Sequence, residues 1–297
     1  MLLNKTIPIW FIFKKIRSEF IIVSIYSIIL GILEESCDLM EISIPFMIPS
    51  ILGTAISLLL AFRTNQAYER WWEARIIWGS IVNNSRSLIR EVQTFFPESA
   101  VDTVQKFINH QVAWCYVLGQ SLRGLEHKEI LKDYLSEEEI KLVTQHSNIP
   151  NALLSLHSKE IREAYKNKTI NEFQQIQLDT MIAKLCDDMG KCERIKGTVF
   201  PRTYTILLYL FIYVFAFILP FSLMNYSGIA EIIINITVTS IFFLIEKTAI
   251  YKQDPFENRP TDISVTSLAR KIEINLLQMN NNDNIPEEIK AEDYYLM

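Results

Sequence analysis

Glycine is scarce in this sequence and cysteine scarcer. With only 8 Gly in 297 residues, a collagen-like repeat is excluded. No Gly-rich phosphate loop is present either, since neither GxxxxGK[ST] nor GxGxxG occurs. The 4 Cys are too few for a disulfide scaffold. Cys186 and Cys192 lie too far apart for a zinc ribbon, and His110, His127, His146 and His157 are scattered, so the spacing predicts no metal site and ordinary reduced thiols. Asp187 and Asp188, between those cysteines, read as a solvated helix face. No Ser or Cys stands in a nucleophile elbow, so nothing supports an enzyme or a bound cofactor. Basic residues are not in excess either. Lys and Arg number 29 against 34 Asp and Glu, a net charge of −5 that argues against a nucleic-acid partner. Strand-like alternation of useful length is also missing, which leaves an all-α chain as the expected fold class.

What the sequence does contain is uncharged apolar runs: Phe20–Leu33, Ile42–Phe62, Thr203–Ala230 and Ile232–Ile245. A bilayer-spanning helix needs about 20 apolar residues. The second and third runs meet that length; the first and fourth meet it if Glu19, Glu34 or Glu231 lies near an interface. Thr203–Ala230 is expected to end as a helix near Pro220. Glu34-Glu35-Ser36-Cys37-Asp38 is a poor cleavage site, so the first run reads as a retained membrane helix. Lys5, Lys14, Lys15, Arg17, Arg63, Arg70, Arg75, Arg194, Lys196, Arg202, Lys247, Lys252 and Arg259 all flank one side if the four runs cross. The positive-inside rule then predicts a multi-pass protein of the cell (inner) membrane with both termini and the middle region cytoplasmic.

This pattern divides the chain into an N-terminal segment with two membrane helices (1–62), a cytoplasmic helical region (63–197), two further membrane helices (198–248) and a cytoplasmic helix and tail (249–297). In the middle region, Trp71, Ile77, Ile81, Leu88, Val92 and Phe95 recur near a 3.6 period and predict one helix running out of the membrane toward Pro97. Val101–Leu122 is a second helical pattern. Ser136 with Glu139 fits a capping box, and Asn148-Ile149-Pro150 reads as a break. Helices are expected over 151–167 and over 170–189, the latter ending near Gly190, and again over 263–277. In the second apolar run, Thr54, Leu58 and Phe62 share one face at i, i+4 spacing. That stripe suits helix packing, which period alone favours, or the wall of a pore that gates by dewetting.

The run Phe62-Arg63-Thr64-Asn65-Gln66-Ala67-Tyr68-Glu69-Arg70-Trp71-Trp72-Glu73-Ala74-Arg75, followed by Trp78-Gly79, closely resembles the signature of bacterial bestrophin homologues. Arg194-Ile195-Lys196-Gly197-Thr198-Val199-Phe200-Pro201, Leu219-Pro220-Phe221 and Asp254-Pro255-Phe256-Glu257 resemble later segments of that family, and the likeness extends over Pro8–Leu277. The resemblance implies a homopentamer in the lipid bilayer, conducting small monovalent ions along an axis ringed by the second membrane helix. It places a hydrophobic neck at Thr54, Leu58 and Phe62, with Thr54 smaller and more polar than the usual residue, and a cytoplasmic aperture at Phe200. Arg63, Asn65, Tyr68, Glu69, Arg70, Trp71, Trp72, Glu73, Arg75, Pro201, Asp254 and Phe256 become structural motif residues. The arginines, interleaved with Glu69 and Glu73, read as members of ion pairs such as Arg70–Glu73 rather than as an anion-attracting ring. Glu246 and Lys247 are expected to face protein or water. Animal members carry a calcium clasp of acids before the last motif; here Lys252 and Gln253 stand there, so calcium activation is not expected. Family members differ in the ion passed. The acidic outer connection (Glu34, Glu35, Asp38, Glu41) favours cations over chloride. A secondary transporter and a non-conducting membrane scaffold are the alternative readings.

Overall fold

The computed structural model describes residues 9–37, 44–223, 228–291 and 295–296. Among them the chain is helical, without a β-strand: α1 (Ile9–Phe13), a 3-10 turn (Lys14–Ile16), α2 (Arg17–Cys37), α3 (Met47–Phe95), α4 (Val101–Arg123), α5 (Lys128–Tyr134), α6 (Glu137–Val143), α7 (Ile149–Lys166), α8 (Glu172–Gly197), α9 (Arg202–Leu223), α10 (Gly228–Gln253) and α11 (Val265–Met279). The all-α expectation holds. α3 is a single helix of 49 residues, about 74 Å at 1.5 Å per residue. Its second half is the long amphipathic helix that the Trp71–Phe95 period predicts.

The chain forms two compact units. One, the apolar unit, comprises Thr6–Arg70 and Val199–Gln253. Here α2, α3 and α10 are long and apolar enough to cross a membrane, and the uncharged Thr203–Leu223 stretch makes α9 the fourth candidate. Ile56 and Leu60 of α3 pack with Leu208, Ile212, Phe215 and Leu219 of α9 and Phe243 of α10. Apolar side chains such as Ile25, Ile29, Leu210 and Phe217 point outward. With no water inside a bilayer, polar atoms must find partners within the protein. Asn235 does this for three helices: its amide donates to Ser27 Oγ (2.9 Å) and Ala216 O (3.2 Å), and its oxygen accepts from Thr239 (3.3 Å).

That network explains a departure from expectation. The third apolar helix does not stop near Pro220 but runs to Leu223 with Pro220 inside it. Proline has no N–H for the carbonyl four residues back, here Ala216. The Asn235 amide supplies the missing donor, so the last turn survives.

The other unit comprises Trp71–Thr198 and the described residues from Asp254 onward. Its core gathers Trp78, Ile81, Leu88, Phe107, Trp114, Leu153, Leu185, Phe256 and Ile272. The Ser136 capping box is present, Glu139 N–H donating to Ser136 Oγ and Ser136 N–H to Glu139 Oε2. Asn148-Ile149-Pro150 is a helix start rather than a break. Asn148 caps α7 by accepting from Asn151 N–H at 3.0 Å, and Pro150 sits in the first turn, where its missing N–H costs nothing. α8 passes through Gly190 and ends at Gly197. Gly190 is exposed with open space around it, so tertiary packing on either side carries the helix across a residue that costs only about 1 kcal/mol.

Candidate functional site

α3 carries two faces in the apolar unit. One buries Ile56, Leu60, Arg63 and Ala67. The other presents Thr54, Leu58 and Phe62, the last two 58 % and 59 % exposed. The Thr54 and Ser57 hydroxyls donate back to Ser50 O and Gly53 O, both at 2.8 Å. Their hydrogens are thus used within the helix, and the stripe presents mainly hydrocarbon. Gly53 lets α9 approach closely, since a Cβ there would meet the Phe215 ring at 3.2 Å.

The buried face ends in a node that no sequence spacing reveals. Arg63 is fully buried and lies 3.6 Å from the equally buried Glu246 carboxylate. Its Nη2 donates to Gln253 Oε1 (2.6 Å) and Thr205 Oγ1 (3.3 Å), and its guanidinium carbon stands 3.5 Å from the centre of the Phe200 ring. Phe200 also meets Tyr204 edge-on at 6.0 Å, and Tyr204 O–H donates to Leu59 O at 3.0 Å. Arg70 Nε donates to Gln253 O at 2.8 Å. One guanidinium therefore joins α3, α9, α10 and the segment before α9, with a cation–π contact that desolvation strengthens. Glu246 faces protein, as expected. Lys247 does too, pairing with Glu19 at 2.7 Å.

The remaining motif residues are spread over both units. Asn65 donates to Glu69 Oε1 (2.7 Å), and Tyr68 is exposed. Trp71 Nε1 donates to Thr261 O (3.2 Å), and its ring stacks on Trp72. Arg75 is half-buried, Pro201 exposed, Asp254 half-buried, and Phe256 belongs to the core of the second unit. The Glu73 carboxylate pairs with Arg194 at 2.6 Å, so a partner 121 positions away takes the place that the i, i+3 rule gave to Arg70. Asp188 corrects another expectation. It is buried, held by Asn84 (2.8 Å) and Lys191 (3.0 Å), because its side of α8 packs inward while Asp187 stays outside. Cys192 is buried and Cys186 exposed, and no group of three metal-ligating side chains occurs among the described residues.

The loop after α10 is knitted by the protein's own donors. Asp262 accepts from the backbone N–H of Glu257 (2.7 Å) and Arg259 (3.0 Å). Lys196 Nζ reaches Phe256 O (3.3 Å) and Glu257 Oε1 (2.6 Å), and Arg123 reaches Ile263 O (3.3 Å).

The model of the Bacterial/Fungal Bestrophin protein family matches residues 10–278. The chain is 32 % identical over 246 residues to the voltage-dependent anion channel-forming protein YneE of Escherichia coli, covering 83 % of this chain and 80 % of that one. It is 31 % identical over 246 residues to a voltage-dependent anion channel-forming protein of Nostoc sp., covering 80 % of each. A crystal structure of a bacterial bestrophin homologue from Klebsiella pneumoniae superposes with a TM-score of 0.81 at 26 % identity, over 89 % of this chain and 97 % of that one.

Proposed function

The chain belongs to the bacterial/fungal bestrophin family, a family of membrane proteins and not of enzymes, and on that premise we propose that five copies ring α3 about one axis to conduct small monovalent ions. The observation that carries this reading is the split of α3. Its only deeply buried charge in the membrane stretch, Arg63, is anchored on one face, while Leu58 and Phe62 stand exposed on the other. Five such stripes facing one another would make apolar collars that an ion passes only by shedding water. Phe200, fixed under Arg63, forms a second collar at the cytoplasmic end. The four helices cross the inner membrane with both termini in the cytoplasm, and the Trp71–Thr198 unit, with α11, lies on that side.

The sign of the ion follows from charge outside the collars. Arg63 is tied to Glu246 and Gln253, and Arg70 to Gln253, so these cations serve structure. The acidic outer connection then sets the bias and concentrates cations at that mouth; within it Asp38 and Glu41 lie outside the described residues. The curated relatives are named anion channel-forming, which favours chloride as the second reading.

Purified protein in a planar bilayer under a NaCl gradient tests all of this. Unitary currents are expected, reversing near the sodium equilibrium potential; reversal near that of chloride establishes the second reading, and silence in every preparation refutes the channel. Chemical crosslinking is expected to give a five-band ladder. Calcium activation is not expected, because Gln253 is engaged by Arg63 and the following loop by Lys196 and Arg123; cytoplasmic EGTA should leave the current unchanged. Phe62→Ala and Phe200→Ala should each widen a collar. If each removes about 1 kcal/mol of dehydration barrier, the unitary current rises about fivefold. Unaltered current in both variants would put the constrictions elsewhere.

A further inference from the structure

The Trp71–Thr198 and Asp254–Met297 unit contains a cavity of about 200 Å³ between α4, α5 and α11 that the conduction pathway does not use. One wall is aromatic: the Tyr116 and Tyr134 rings stack at 6.2 Å and 16°. Both hydroxyls donate to Glu273, at 2.7 and 2.6 Å, and Arg270 Nε lies 3.2 Å from the same carboxylate. Glu273 is therefore saturated and neutralised from within. Three lining groups are not. The terminal amino groups of Arg270 have no hydrogen-bond partner among the described residues. Gln120 Oε1 is buried with no donor among the described residues. Asp133 makes neither a hydrogen bond nor an ion pair among the described residues. A buried acceptor without a partner costs about 1–3 kcal/mol and calls for an explanation.

The chemistry of these groups specifies the ligand class. Among the described residues Arg270 is the only cation lining the cavity and Asp133 the only acid. A simple anion would meet Arg270 but also Asp133, and a simple cation would meet the reverse. A molecule bearing both charges finds a partner for each. The volume lies below the ~300–1,000 Å³ of sites for drug-sized molecules, which suits a metabolite smaller than a nucleotide. We propose that this cavity binds a small zwitterion, a free α-amino acid, with its carboxylate on the Arg270 terminal amino groups and its ammonium on Asp133 and Gln120 Oε1. The Tyr116–Tyr134 stack packs the remaining hydrocarbon. α11 begins a dozen residues after the last residue of α10, so an occupant would tie α4, α5 and α11 together just downstream of a membrane helix.

Isothermal titration calorimetry of the full chain in detergent, with glycine, L-alanine and L-serine as probes, tests the assignment. The half-ligands acetate and methylammonium supply the control. At least one amino acid is expected to bind, at least about tenfold more tightly than either half-ligand. Asp133→Asn, at an exposed position without hydrogen bonds, is expected to weaken that binding at least about tenfold while leaving the melting temperature unchanged, and Arg270→Gln to abolish it. Should Arg270→Gln fail to fold, Asp133→Asn still decides. Binding of acetate or methylammonium as tight as that of the amino acids, binding insensitive to Asp133→Asn, or no heat with any probe overturns the proposal.

Discussion

Arg63→Met is expected to remove about 3–5 kcal/mol of stability, the characteristic cost of leaving one member of a buried ion pair behind. Both side chains of the Arg63–Glu246 pair are inaccessible to solvent, and at 3.6 Å the interaction is charge attraction rather than a hydrogen bond. Among the described residues the Glu246 oxygens accept no hydrogen bond, so the charge of Arg63, more than that of Lys247, offsets their desolvation. Without it the carboxylate must take up a proton or drag water into the apolar unit. The expected readout is a fall in melting temperature and loss of the oligomer peak in size-exclusion chromatography. Combining Arg63→Met with Glu246→Leu should restore most of the stability, because replacing both members of a buried pair by apolar groups is often neutral. The double variant also releases Phe200 from the guanidinium that stacks on it. It should therefore be stable yet altered in conductance, which separates holding the fold from holding the constriction. Arg63→Lys should not rescue, since an ammonium cannot reach Gln253, Thr205 and the Phe200 face at once. A single variant as stable as the parent would mean that the pair contributes nothing.

Local chemistry explains which parts of this arrangement could be read in advance. The Ser136–Glu139 box, the helix from Val101 and the long helix through Trp78 depend on residues within a few turns of each other, and their spacing carries the information. The exposed Leu58 and Phe62 stripe was visible for the same reason. Reading failed where a distant partner decides. Pro220 stays inside its helix because Asn235, on another helix, supplies the lost donor. Asp188 is buried because Asn84 waits for it, and Glu73 chooses Arg194 over its near neighbour. The Arg63 node draws on positions 200, 205, 246 and 253, which no period or motif spacing links. The signature run named Arg63 as important without saying what it grips.

A buried histidine should make the α4–α7 packing acid-sensitive. His157 is fully buried between Phe107, stacked at 5.4 Å, and the His110 ring, edge-on at 5.6 Å, and neither of its ring nitrogens has a hydrogen-bond partner among the described residues. Burial, and then His110, hold its imidazole well below the ordinary histidine range. His110 is also lowered, since burial outweighs the attraction of Glu139 at 3.0 Å. Lys106 closes the cluster, 2.6 Å from Glu160 and 3.4 Å from Glu139. Burial alone would raise Glu139, but the Ser136 donors and His110 bring it down to about 2, so its own contribution to stability fades only below about pH 4.5. The unfolded chain takes up protons on His157 near pH 6.5, whereas the folded chain refuses them. Stability from this site is therefore complete above about pH 6.5 and declines as the pH falls. Between pH 7 and pH 5 the loss attributable to His157 is at most about 2 kcal/mol, the limit set by titration of the unfolded imidazole. His157→Leu should flatten that stretch of the melting-temperature profile and leave the decline below pH 4.5 in place, and His110→Gln should remove a smaller part. A profile for His157→Leu parallel to that of the parent from pH 7 to pH 5 would mean that this imidazole does not set the acid sensitivity of the fold.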